Sequence, residues 1–137
     1  MKTIDTIQVG DSASFTKTVT ETDVIMYAGV SGDFNPAHID AEHAKGSMFG
    51  QRIAHGMLSA SFISNVLGTQ LPGPGTIYMG QDLRFVKPVY IGDTVTATCT
   101  VTERIAEKNR LKLDTVVTNQ RGEPVITGTA TVMPPKA

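Results

Sequence analysis

The sequence predicts an α+β fold in which one antiparallel β-sheet wraps a long central α-helix, with residues 1–137 forming a single domain. Three observations carry that expectation. Between Arg52 and Asp82 the chain contains no Asp, Glu, Lys or Arg, yet residues 57–70 have the spacing of a helix. After it come four segments rich in β-branched residues, separated by Gly, Pro and Asn. Before it stand one strand-like segment and two helical ones. A sheet with an apolar inner face needs an apolar element to close on, and a helix without charge on any side supplies one.

The elements follow in order. Residues 13–19 alternate loosely, with Phe15, Thr16, Thr18 and Val19, and suit a first strand. Thr20 or Thr22 can cap a helix carrying Val24, Ile25, Tyr27 and Ala28, which Gly29 and Gly32 weaken and Pro36 stops. Asp40 can cap a short second helix that runs through Lys45 and closes at Gly46. In the charge-free stretch, Met57, Leu58, Phe62, Ile63, Val66 and Leu67 recur over several turns, and the Leu-Pro-Gly-Pro-Gly run at 71–75 ends them. Strands are expected over residues 76–85, 93–103, 110–119 and 123–133, with Asn119 to Gly122 as a hairpin turn. One open sheet leaves edges, so two copies are expected to pair as a homodimer.

Composition excludes several classes. The chain is 40% hydrophobic and 18% charged with formal net charge −1, and it has no Trp, so it offers no basic or aromatic footprint for nucleic acid. Its single cysteine, Cys99, cannot form an internal disulfide and reads as a packing residue in a strand. No Cys/His cluster has metal-ligand spacing, so no metal is expected. The N-terminal MKTIDTIQVGDS lacks the apolar core of a signal peptide, and no run approaches the roughly 18 apolar residues of a membrane span. A cytoplasmic protein without membrane contact is the expectation.

The chemistry is concentrated in Ser31 to His38, SGDFNPAH. Pro36 removes a backbone donor and pushes Asn35 out of the α region, so Asp33 and His38 are expected on a short, rigid, non-helical turn. A carboxylate and an imidazole so placed can hold one water molecule and move a proton between oxygen and carbon. Asn35 is expected to hold the turn around Asp33 by local side-chain to backbone bonding. Gly56, just before the central helix, offers a backbone N–H at the positive end of that helix, where an oxyanion would be stabilised.

Three segments, SGDFNPAHID, IAHGMLSASFIS and FVKPVYIGDTV, together resemble the MaoC-like (R)-specific enoyl-CoA hydratases, and the resemblance spans residues 9–132. It implies a hot-dog fold and reversible syn addition of water to a trans-2-enoyl-CoA, giving an (R)-3-hydroxyacyl-CoA. The single-domain members that supply such thioesters for polyhydroxyalkanoate synthesis match best in length. By that resemblance Asp33 and His38 activate the water and protonate Cα, and Ser64 helps to position them. Which member of the pair takes the proton and which returns it stays open. The partner implied is an acyl-CoA thioester, and no cofactor is needed because water is the co-substrate.

Alternatives are a dehydratase acting on acyl-carrier-protein thioesters, which would use the same pair, and a non-catalytic module that binds acyl thioesters. A thioesterase is disfavoured because residues 57–70 hold no Asp or Glu to act from the central helix. Of the remaining residues, His55 reads as structural at the start of a helix, and His43 as solvated. Tyr78, Met79 and Gln81 read as packing residues, and Asp93 as a turn acid. Arg84 and Lys87 read either as solvated strand-end charges or as groups that meet the phosphates of an acyl-CoA near a subunit boundary. Met48, Phe49, Met57 and Phe62 are expected to limit an acyl tunnel suited to short chains, around crotonyl.

Overall fold

A computed structural model describes residues 2–137. The elements are β1 (Ser12–Thr18), α1 (Glu21–Ser31), α2 (Pro36–Ile39), α3 (Ala41–Lys45), α4 (Gly56–Thr69), β2 (Ile77–Gln81), β3 (Arg84–Phe85), β4 (Thr94–Ile105), β5 (Arg110–Thr118) and β6 (Pro124–Met133). They form one antiparallel sheet in the order β1-β4-β5-β6-β2, with β3 also on β6. The expected α+β arrangement holds: α4 lies against the inner face of the sheet and makes its main contacts with β4.

The strand pattern explains which face is inner. Along β4, Val95, Ala97, Cys99 and Val101 are buried, while Thr94, Thr96, Thr98 and Thr100 point outward. On that outer face hydroxyl pairs join β1 to β4, Ser12 with Thr100, Thr16 with Thr96 and Thr18 with Thr94, at 3.1, 2.8 and 2.7 Å. The inner face and α4 share one core that includes Leu58, Ile63, Val66, Leu67, Leu111 and Leu113. Phe62 belongs to it, edge-on to Phe15 at 5.7 Å between ring centroids, so it is a packing residue rather than part of a tunnel.

Local signals explain the helix ends. Thr20 is the N-cap of α1 in a reciprocal capping box with Asp23, and Asp40 caps α3 by accepting the N–H groups of Glu42 and His43. The hairpin turn at 119–122 also forms, with the Asn119 side-chain oxygen accepting the N–H groups of Arg121 and Glu123.

Two expectations need correction. Residues 77–85 form two strands, because the ladder with β6 breaks at Asp82 and Leu83 in a kink; a register shift between Tyr78 and Gly80 lies within β2. The Asp82 backbone bonds Thr129, its carboxylate accepts the Thr129 N–H at 3.1 Å, and its carbonyl oxygen passes so close that a Cβ on Gly128 would lie 2.0 Å away. Only glycine fits opposite that kink. Secondly, Tyr78 and Met79 are exposed on β2 rather than packed. The helix α4 is buried on most of its surface, with Met57, Ser61, Ser64 and Gly68 forming an exposed, uncharged stripe.

Candidate active site

α1 ends at Gly32, which takes φ +80° and bonds back to the Ala28 carbonyl at 2.8 Å. From there each polar side chain secures the next piece of backbone. The Ser31 hydroxyl donates to the Tyr27 carbonyl at 2.8 Å and accepts the Asp33 N–H at 3.1 Å. The Asp33 carboxylate accepts the Asn35 N–H, and the Asn35 side chain accepts the Ala37 N–H, both at 3.1 Å. The turn expected to be non-helical through His38 is helical in its second half. Pro36 ends the preceding helical region but is also favoured as the first residue of a new turn, so His38 sits in the one-turn helix α2. Asn35 is the N-cap of that turn, and only its backbone N–H reaches Asp33.

His38 is 8% exposed. Its Nδ1 lies 2.7 Å from the Ile53 carbonyl, which can only accept, so Nδ1 carries a proton. In the neutral ring the free lone pair is therefore on Nε2. The His38 carbonyl accepts the Arg52 Nε–H at 2.7 Å, and Arg52 Nη1 reaches both Glu21 carboxylate oxygens at 2.9 Å. This ties α2 to the first turn of α1.

His55 completes the cluster. It is 2% exposed, its Nε2 donates to the Asp33 carbonyl at 2.9 Å, and its ring stacks on His38 with centroids 3.9 Å apart and planes 26° from parallel. Asp33, His38 and His55 each bring one donor atom within 4.8 Å of the others. One nitrogen of each stacked imidazole is already bonded to a carbonyl, Nδ1 of His38 and Nε2 of His55. Such a set suits proton transfer and water holding better than a tetrahedral metal.

These groups line a cavity of about 580 Å³ together with Ser59 and Gly56. Gly56 is the first residue of α4, and no side chain among the described residues caps that helix; the Leu58 N–H bonds the His55 carbonyl at 3.1 Å, which leaves the Gly56 and Met57 N–H groups available. The opposite wall is apolar: Met48, Phe49, Met57, Phe85, Val86 and Ile126. The walls meet where the Phe85 ring lies on Gly56, since a Cβ there would stand 2.6 Å from the ring.

Asp33, His38 and Gly56 are thus brought together, whereas Asn35 supports them from outside the cavity. Ser64 does not join them: it faces outward on the exposed stripe of α4, and Ser59 is the helix serine that reaches the cavity, its hydroxyl buried without a partner. Met48, Phe49 and Met57 line the apolar wall as expected. Sequence reasoning missed His55, Ser59 and Phe85 as site residues. Only His55 had a signal, its place beside Gly56. Elsewhere, burial pushes the Cys99 thiol up to about 12, so it stays an inert thiol.

A model of the MaoC-like domain matches residues 6–123. The chain belongs to the MaoC-like domain family. An (R)-specific enoyl-CoA hydratase of Rhodospirillum rubrum is 55% identical over 129 residues, covering 94% of this chain and 89% of that protein. A second (R)-specific enoyl-CoA hydratase, from Aeromonas caviae, is 43% identical over 94% of this chain and 96% of its own length. Among solved structures, an R-hydratase of Pseudomonas aeruginosa in the unliganded form superposes with a TM-score of 0.94 at 45% identity, covering 98% of this chain and 86% of that one. The sheet-wrapped helix described above is therefore the hot-dog arrangement of MaoC-like hydratases. Among the described residues no helix is long and apolar enough to cross a membrane.

Proposed function

We propose that this MaoC-like chain is an (R)-specific enoyl-CoA hydratase, adding water reversibly to trans-2-enoyl-CoA thioesters. The observation that carries the reading is the meeting of Asp33 and the His38 ring in a largely apolar cavity, beside the uncapped start of α4. An acyl chain lies along the apolar wall. Its thioester oxygen takes the Gly56 N–H, where the helix end favours the negative charge that develops as water adds. One water, held by the Asp33 carboxylate and His38 Nε2, attacks Cβ. A proton from the same pair is delivered to Cα on the same face, which gives syn addition and a single product hand. Names of relatives sharing 55% and 43% identity support this substrate class.

A second copy of the chain is the partner that the exposed surface fits best. β2 ends the sheet with Ile77, Tyr78 and Met79 exposed, and the uncharged stripe of α4 and Phe85 with Val86 add further uncovered apolar area. A symmetric dimer, measured by sedimentation, is the expected state.

The test is hydration of crotonyl-CoA, followed as loss of enoyl-thioester absorbance, with product handedness read by (R)- and (S)-specific dehydrogenases. Asp33→Asn and His38→Ala, both folded by circular dichroism, should each lose about 10²- to 10⁴-fold in kcat. An (S) product, or no turnover on short or longer enoyl-CoAs, would overturn the reading.

A further inference from the structure

We infer that His55 is a positioning residue which braces both members of the reactive pair, an inference that rests on the hydratase reading above. Its ring does two separate things. The Nε2–H holds the Asp33 carbonyl at 2.9 Å and so fixes the peptide from which the reactive carboxylate projects. The ring face lies on His38 at 3.9 Å and limits tilting of that imidazole. The Ile53 carbonyl, bonded to His38 Nδ1 at 2.7 Å, limits the remaining rotation within the ring plane. Together the two contacts leave Nε2 of His38 one direction in which to point.

His55 is itself well held. Its ring meets Tyr27 at 4.9 Å and 56°, and the Tyr27 carbonyl receives the Ser31 hydroxyl that in turn accepts the Asp33 N–H. The Asp33 residue is therefore secured at its N–H through Ser31 and at its carbonyl through His55. Because a carbonyl only accepts, the His55 proton must be on Nε2, opposite to the Nδ1 placement in His38. His55 Nδ1 is buried with no partner, so nothing in the described residues competes for the other tautomer.

Two substitutions separate the contacts. His55→Phe keeps an aromatic face for His38 but cannot bond Asp33, whereas His55→Gln can donate to the Asp33 carbonyl but gives up the stack. A displacement of the pair by about 1 Å is worth on the order of 10²-fold in rate, so each variant should lower kcat on crotonyl-CoA by roughly 10- to 100-fold with KM changed less than about two-fold. A purely structural role would lower stability and leave the kcat of the folded fraction intact. Full kcat in folded His55→Phe and His55→Gln removes His55 from the machinery, even while Asp33→Asn and His38→Ala remain inactive. On the native protein, nitrogen-15 imidazole spectra should give the Nε2–H form for His55 and the Nδ1–H form for His38. The reverse pattern overturns the inference whether or not any variant folds. Failure of the native chain on every enoyl thioester would instead count against the hydratase reading.

Discussion

The wall of the cavity that carries Asp33 and His38 is made of connections and helix ends, from Ser31 to His38 and from Arg52 to Gly56. Every polar side chain in it is bonded to a backbone group of another residue. The facing wall, built from Met48, Met57, Phe85 and Val86, has no such bonds, and Met48 is 91% exposed. One side fixes atoms through directional contacts that fail over fractions of an ångström. The other is bounded by soft side chains that reshape at little cost. On the proposed reading, reaction chemistry and substrate size are entrusted to different kinds of structure, and each should be alterable without the other.

Glycine substitutions mark where each wall is rigid. At Gly128 an added methyl meets the Asp82 backbone, which cannot step aside, and Gly128→Ala should cost about 3 kcal/mol and lower Tm by roughly 10 °C. At Gly56 the obstacle is the half-exposed Phe85 ring, which can rotate away. Gly56→Ala should therefore lose only about 1 kcal/mol of stability while kcat falls by about tenfold, because the ring is driven into the cavity. Equal thermal losses in the two variants would remove the distinction. A smaller effect is expected on the apolar wall alone: Met57→Ala should raise kcat/KM for six- and eight-carbon enoyl-CoAs by about tenfold and leave crotonyl-CoA within about two-fold. An unchanged chain-length profile would take Met57 out of the acyl boundary.

The smallest effect concerns the rim. Lys87 lines the apolar wall and pairs with Glu123, whose carboxyl is held down to about 2, against an ordinary 4.5, by hydrogen bonds from Lys87, Asn119 and Arg121. A depressed carboxyl stabilises the fold fully above its unfolded value, and that contribution is lost as pH falls from about 4.5 towards 2. Denaturant titrations of wild type and Glu123→Gln should thus differ by a constant amount above pH 4.5 and converge towards pH 2. A gap that widens on acidification would contradict this.

The same contrast explains what could be read from the sequence. The sheet and α4 announce themselves because burial repeats with a period, every second residue in β4 and every third or fourth in α4. Asp33, Asn35, Pro36 and His38 were legible because they sit within eight residues and each has a distinct chemical use. What joins them to Arg52, His55, Ser59 and Phe85 is contact between distant segments, which leaves no period. His55 and Gly56 look alike in sequence as neighbours at the start of a helix, yet one grips Asp33 and the other touches Phe85 from β3. The helix serines show the same limit: those at 59, 61 and 64 are equivalent in sequence until helix phase puts Ser59 in the cavity and Ser61 and Ser64 on the exposed stripe.

The absence of charge in the central segment has a consequence in time. No Lys, Arg, Asp or Glu interrupts residues 53–81, so nothing in that stretch guards it against association with other chains. During synthesis α4 is complete at Thr69, whereas the last strand that covers its core ends at Met133, 64 residues later. At about 5–20 residues per second the ribosome takes roughly 3–13 s to supply that strand. For those seconds the most apolar helix of the chain exists without the sheet made to enclose it.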